Sequence, residues 1–214
     1  MLSGLALTFE LVTQGPTSRR EVALTFDACQ ARSPAGFDKK IVDILCKKKV
    51  KATFFLGGAW AKAHPKESSA LGTEPLFEIA QHSYFHPHYT ALDKRQALAD
   101  MSRAQDAVIK TTGRTPRYFR PPYGEFNSDT LQCAKQLGLK VVLWSIVTGD
   151  PDKNVKATAI IKTVLTKARP GSIVVMHVNG RGWHTAEALP GLIDGLRAKG
   201  YRLVTVSDLL RTKT

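Results

Sequence analysis

Acidic side chains are scarce in this chain: 18 aspartates and glutamates stand against 31 lysines and arginines, a formal net charge of +13 over 214 residues. A field of that sign favours polyanions such as nucleic acid, anionic cell-wall polymers or acidic membrane surfaces. Nucleic-acid signatures are nevertheless missing. No helix-turn-helix, zinc-finger or RNP-like aromatic motif is visible, and the lysines are scattered over most segments, so no dedicated nucleic-acid function is expected. No stretch approaches the ~20 apolar residues that a membrane-spanning helix needs, and no span is expected. Cysteine is rare: Cys29, Cys46 and Cys133 form no C-x-x-C pair and at most one bridge, which leaves the redox compartment open. The opening residues 1–7 lack a basic n-region and soon turn polar, unlike a secretory leader. Low-complexity tracts and long like-charge blocks are absent too. With 43% hydrophobic residues, residues 1–214 suit one globular domain with a substantial core.

What is present is a strand-helix rhythm. Residues 21–26 read as a strand and 36–49 as a helix with Ile41, Ile44 and Leu45 on one face. Strands follow at 52–56 and 76–80, then a long helix over 93–112 with a capping-type start, ended by Gly113 and Pro116. A very short strand at 118–120 precedes a helix over 128–137, and a strand at 140–144 precedes a helix over about 155–168. The nearly all-apolar 172–176 suits a strand buried on both faces. A helix over 185–199, a last strand at 201–206 and a short C-terminal helix complete the series. Alternation of this kind implies a parallel α/β sheet, open or closed into a barrel.

The segment Gln81-His82-Ser83-Tyr84-Phe85-His86-Pro87-His88 concentrates three of the six histidines. His82 and His86, four residues apart, are expected on one side of a single helical turn. Two neutral imidazoles supply half of a tetrahedral zinc-like site. Asp27, His82, His86, Arg120, Asp150 and His177 all fall at or just beyond the C-terminal end of an expected strand. Barrel enzymes gather their chemistry on that face from several strands. An open doubly wound sheet would instead show a glycine-rich phosphate loop after its first strand, and Asp27-Ala28-Cys29-Gln30 is not one. Taken singly, each residue has a plain structural alternative. Asp27 could cap a turn, Arg120 could be a surface ion-pair partner, Tyr123 a turn aromatic and His177 a rim histidine.

Taken in order, these strand ends resemble the polysaccharide deacetylase family, the NodB-homology domain of carbohydrate esterase family 4. Leu24-Thr25-Phe26-Asp27 is similar to its first motif, and His82-Ser83 with His86-Pro87 to its second. Arg120-Pro121-Pro122-Tyr123-Gly124 matches the third, residues 144–150 the fourth, and Val175-Met176-His177 the fifth. The resemblance covers roughly residues 20–210. It implies a distorted, TIM-like (β/α) barrel of about seven parallel strands and metal-dependent removal of acetyl from N-acetylated sugars. By the same resemblance His82 and His86 hold a divalent ion, most readily zinc, with cobalt or nickel as alternatives. Asp27 is the general base and His177 the acid. Arg120 orients Asp27, Asp150 supports His177, and the backbone N–H of Tyr123 helps bind the oxyanion. A GlcNAc-containing glycan is the implied partner: peptidoglycan, chitin oligomer or exopolysaccharide. The implied location is periplasmic, secreted or cell-wall associated.

The main departure is Ala28, which stands where the family has a second, metal-binding aspartate. Water or Asp27 could fill that position, His88 or Cys29 could substitute, or the site could be metal-free and the protein a non-catalytic glycan-binding module. Cys29 lies two residues from Asp27, so in an extended chain both face the same side. Val147, Pro151 and Val175 are milder departures, at positions where the family favours aspartate, tryptophan and leucine.

Overall fold

The computed structural model describes residues 11–30 and 35–211; the opening segment read above lies outside them. Nine strands form one sheet: β1 (Leu11–Val12), β2 (Glu21–Ala28), β3 (Ala52–Leu56), β4 (Phe77–Gln81), β5 (Tyr118–Phe119), β6 (Lys140–Val142), β7 (Ile146–Val147), β8 (Ser172–His177) and β9 (Arg202–Val204). Every ladder is parallel. The order is β1-β6-β5-β4-β3-β2-β8-β7, with β9 beside the start of β2. Between the strands run α1 (Lys39–Lys47), α2 (Gly58–Ala63), α3 (Pro65–Thr73), α4 (Lys94–Thr112), α5 (Ser128–Gln136), α6 (Ala157–Lys167) and α7 (Thr185–Ala198), with α8 (Val206–Leu210) at the end.

The pleat of β2 shows how the sheet is buried on both sides. Val22, Leu24, Phe26 and Ala28 join the large apolar cluster formed with the helices. Ala23 belongs to a second cluster with Phe55, Ala80, Tyr118, Val142, Ile173 and Val204, one residue from each of seven strands. Strands spread along a flat sheet could not meet in one cluster, so the sheet is curled around it. Among the described residues no ladder joins the end strands β1 and β7, and the barrel stays incomplete. Val206 and Leu209 of α8 belong to the same inner cluster. Higher in the interior, Thr25 and Asp27 follow Ala23 on the inward face, so the lumen turns polar towards the strand C-termini.

The expected (β/α) architecture is therefore present, with nine strands among the described residues in place of about seven. The additional β1 and β7 are two residues long, too short to carry a hydrophobic pattern. Several ends shift for local reasons. Helix α1 starts at Lys39 because the Asp38 side chain accepts from the Lys40 amide. β9 stops at Val204 because Thr205 caps α8. The capping-type start of α4 is a capping box between Asp93 and Gln96.

Helices α2 and α3 were not anticipated by apolar periodicity. They are set by Gly57 at one N-cap and Pro65 at the first position of the other. Gly58 is where α2 meets α4: a Cβ there would lie 2.5 Å from the Tyr84 ring and 2.9 Å from Ala104 Cα. Gly58→Ala is therefore expected to lower stability by about 1–3 kcal/mol through overpacking. Gly36→Ala, with nothing within 4 Å, should stay within about 0.5 kcal/mol of the parent. Urea unfolding midpoints of the two variants check the contrast.

Candidate active site

Arg120 follows β5 and is wholly buried inside the curled sheet. Burying a guanidinium is costly unless its donors are matched, and here they are. Nη1 donates to Asp27 Oδ1 at 2.6 Å and to Thr25 Oγ1 at 2.9 Å, Nη2 to Leu143 O at 3.0 Å and Nε to Val142 O at 3.3 Å. The Phe55 ring lies 3.8 Å from its Cζ. Arg120 is thus no surface ion-pair partner, and Asp27, in strand β2, caps no turn. Burial alone would raise the Asp27 carboxyl, but Arg120, followed by His82 and His177, holds it below the ordinary aspartate value. Asp27 is accordingly an anion at neutral pH.

The histidines lie in the loop after β4, not on a helical turn; this corrects the expectation from their spacing. Ser83 and His86 have φ of 62° and 61°, left-handed values that a helix does not contain. The turn nevertheless brings the two rings to 5.0 Å between centroids. Three groups hold it. The Gly58 and Ala59 amides at the start of α2 donate to Ser83 O and Tyr84 O at 2.9 and 3.2 Å. Asp100 of α4 accepts from the Tyr84 and Phe85 amides at 2.9 and 3.2 Å and from the Tyr89 hydroxyl at 2.7 Å. Ser83 Oγ accepts from the His86 amide at 3.0 Å.

His82 Nδ1 lies 2.7 Å from Arg120 O, which makes Nδ1 the protonated nitrogen and leaves the Nε2 lone pair 3.8 Å from Asp27 Oδ2. Burial lowers the His82 pKa against the attraction of Asp27. Burial, then His82, pushes His86 down to about 3. Both imidazoles are therefore neutral near pH 7, the form that ligates metals.

His177 ends β8 directly beside Asp27 in the parallel register. Its Nδ1 is 3.0 Å from Asp150 Oδ1, and its backbone amide donates to Asp150 Oδ2 at 2.7 Å. Asp150 is fully buried and also accepts from Thr148 at 3.0 Å and Thr185 at 2.7 Å. Gly182 closes this pocket, since a Cβ there would sit 2.3 Å from His177 O and 3.0 Å from Asp150 Oδ2. Tyr123, after two prolines, has φ of 60° and is half exposed. Its ring lies 4.6 Å from that of His86 and stacks at 4.1 Å on His88.

A donor set for a divalent ion is present. One ligand atom each of Cys29, His82 and His86 lies within 4.8 Å of the others, and the buried His86 Nδ1 has no hydrogen-bond partner. Neutral imidazoles beside the Asp27 anion suit a zinc-like ion. Ala28 contributes nothing to this set: its methyl faces the helix layer. His88 is outside it, with Nδ1 2.8 Å from Glu125. Asp27, His82, His86, Arg120, Asp150, His177 and Tyr123 thus lie together at one barrel mouth. The sequence reading missed Asp100, Thr148, Thr185 and Gly182. No local motif marks Asp100 or Thr185, whose contacts with Phe85 and Asp150 span 15 and 35 residues.

A polysaccharide deacetylase family profile matches residues 14–142. The peptidoglycan-N-acetylglucosamine deacetylase of Bacillus cereus is 33% identical over 201 residues, covering 92% of this chain and 71% of that protein. Among solved structures, a protein from Bacillus anthracis described as a wild-type CE4 family pseudoenzyme superposes with a TM-score of 0.86 at 27% identity, covering 96% of this chain and 70% of the other. A mutant CE4 family pseudoenzyme described as having restored enzymatic activity gives 0.87 at 28%, covering 96% and 72%.

The anchoring of the histidine loop can be tested directly. Asp100→Ala strands two backbone amides and a buried hydroxyl and should cost about 1–3 kcal/mol. It should also weaken zinc binding by about 10-fold or more, as loss of outer-shell support does. Thermal unfolding and chelator competition measure the two effects.

Proposed function

This chain belongs to the polysaccharide deacetylase family, and on that premise we propose that it is a metal-dependent de-N-acetylase of a GlcNAc-containing glycan of the peptidoglycan type. The observation that carries this reading is the convergence of three pairs at the barrel mouth: Asp27 with Arg120, His82 with His86, and His177 with Asp150. A glycan-binding surface alone has no physical need for an ionised carboxylate on one side and a carboxylate-supported imidazole on the other.

An acetamide is a weak electrophile, so its hydrolysis needs an activated water, a stabilised oxyanion and a protonated leaving amine. His82 and His86 would hold a zinc-like ion, which would supply Lewis acidity to the water and the acetyl carbonyl. Asp27 accepts the proton of the attacking water. Its hydrogen bond to Arg120 fixes the carboxylate and keeps it anionic. His177 delivers a proton to the departing amine from the opposite side. The Asp150 carboxylate orients the His177 ring through Nδ1, leaving Nε2 as the reacting nitrogen. The Tyr123 amide, in a turn stiffened by Pro121 and Pro122, donates to the developing oxyanion. The basic composition favours an anionic cell-wall polymer, and a site of action at the cell wall follows from that substrate.

A second reading is supported by Ala28 and by the similarity to a CE4 family pseudoenzyme: a module that binds glycan without hydrolysing it. Acetate release from N-acetylated peptidoglycan with saturating Zn²⁺ or Co²⁺ separates the two. The de-N-acetylase reading expects metal-dependent acetate, and a kcat about 10²–10⁴-fold lower in Asp27→Asn and in His177→Ala. Asp27→Asn should retain metal, whereas His82→Ala should lose it. Oligosaccharide binding that persists in chelator, with no acetate from peptidoglycan, chitin oligomers or exopolysaccharide, would leave the binding module standing.

A further inference from the structure

We propose that Cys29 is the third protein ligand of the ion, its thiolate taking over the role of the carboxylate that Ala28 lacks. The inference rests on the reading above that His82 and His86 hold that ion, and it assigns a residue outside the family's metal-binding pattern.

Asp27 faces the lumen, Ala28 faces the apolar cluster containing Leu56 and Trp60, and Cys29 faces the lumen again. With the backbone in this register, position 28 presents its side chain to the wrong layer and position 29 to the histidines. The Cys29 Sγ and one nitrogen of each histidine lie within 4.8 Å of one another. Bonds of about 2.3 Å to sulfur and 2.0–2.1 Å to nitrogen place tetrahedral donors about 3.5 Å apart, within reach of small side-chain rotations.

The surroundings of the sulfur also suit a ligand. Cys29 is 2% exposed. Asn179, also 2% exposed, donates Nδ2 to Cys29 O at 2.6 Å and points the same nitrogen at Sγ, 3.5 Å away. An amide N–H aimed at a thiolate is the outer-shell contact that holds and tunes such a ligand. The charge is also sensible. Asp27 is committed to Arg120, so a thiolate brings the negative charge that two neutral imidazoles cannot. On binding, the Cys29 thiol proton leaves to solvent and a sulfur lone pair forms the metal bond, with no change of oxidation state.

Cobalt(II) titration of the metal-free full chain tests this without reference to turnover. The parent protein should develop visible bands of a tetrahedral site together with a sulfur-to-cobalt charge-transfer band in the near ultraviolet. Cys29→Ser should lose the charge-transfer band and bind cobalt and zinc about 10-fold more weakly or worse, while Cys46→Ser and Cys133→Ser keep the band. Cobalt bound without a charge-transfer band, equal affinity in Cys29→Ser, or no cobalt binding at all would each overturn the assignment. Should Cys29→Ser fail to fold, a band that persists in the Cys46→Ser/Cys133→Ser double variant assigns the sulfur to Cys29, and a band lost there overturns the assignment. A charge-transfer band without acetate release would sink the proposed activity and leave the ligand standing; acetate release without the band would do the reverse.

Discussion

The ion pair between Arg120 and Asp27 is the contact on which the interior of this barrel depends. Seven strands converge on an apolar plug below it, and the histidines close over it. A guanidinium at this depth tolerates no loss of partners: removing one member of a buried pair typically costs about 3–5 kcal/mol. The site meets that demand with two side chains, two backbone carbonyls and an aromatic face. Stability and the proposed chemistry therefore draw on the same residues. The arrangement that keeps the charge tolerable also fixes the Asp27 carboxylate in one orientation. His82 is tied in as well, since the Arg120 carbonyl selects its tautomer.

Around this fixed centre the strained backbone is concentrated. Four non-glycine residues among those described have positive φ, and Ser83, His86 and Tyr123 are three of them. Such conformations cost of order 1–3 kcal/mol each and persist only where the surroundings over-determine them. Here the surroundings are visible: Asp100 and the first amides of α2 grip the histidine loop, and two prolines precede Tyr123. The helix layer is thus more than cover for the sheet. α2 and α4 transmit their packing to the orientation of two imidazoles.

This division explains what could be read from the sequence. β8 was legible because both of its faces are apolar, β2 because Val22, Leu24 and Phe26 alternate along one face, and α4 because Asp93 and Gln96 write its start. The strand-end positions of Asp27, Arg120 and His177 followed from the same rhythm. The path of the histidine loop did not. Four-residue spacing suits a helical turn, and the long-range bonds from Asp100 and Gly58, with Ser83 Oγ on the His86 amide, hold the left-handed alternative. Helices α2 and α3 were hidden by glycine and proline, which read locally as breaks but here occupy an N-cap and a first-turn position. The pocket of Asp150, with Thr148 and Thr185, is likewise a product of topology, assembled across β7, β8 and α7.

Ala28 gains a different meaning from the same geometry. In the sequence it is an omission next to the carboxylate of Asp27. In the fold it is a small apolar residue on the helix-facing side of β2, where a charged group would meet Leu56, Trp60 and their neighbours. A carboxylate at that position could serve the lumen only if the backbone turned after Asp27, and β2 continues instead through Ala28. The residue just after the strand, Cys29, brings its sulfur within 4.8 Å of the histidine ligand nitrogens. Replacing oxygen by sulfur also shifts the preference of the site towards softer ions. Under the proposed assignment, the donor that position 28 lacks is offset by the sulfur of the next residue, on the lumen side of the same strand end.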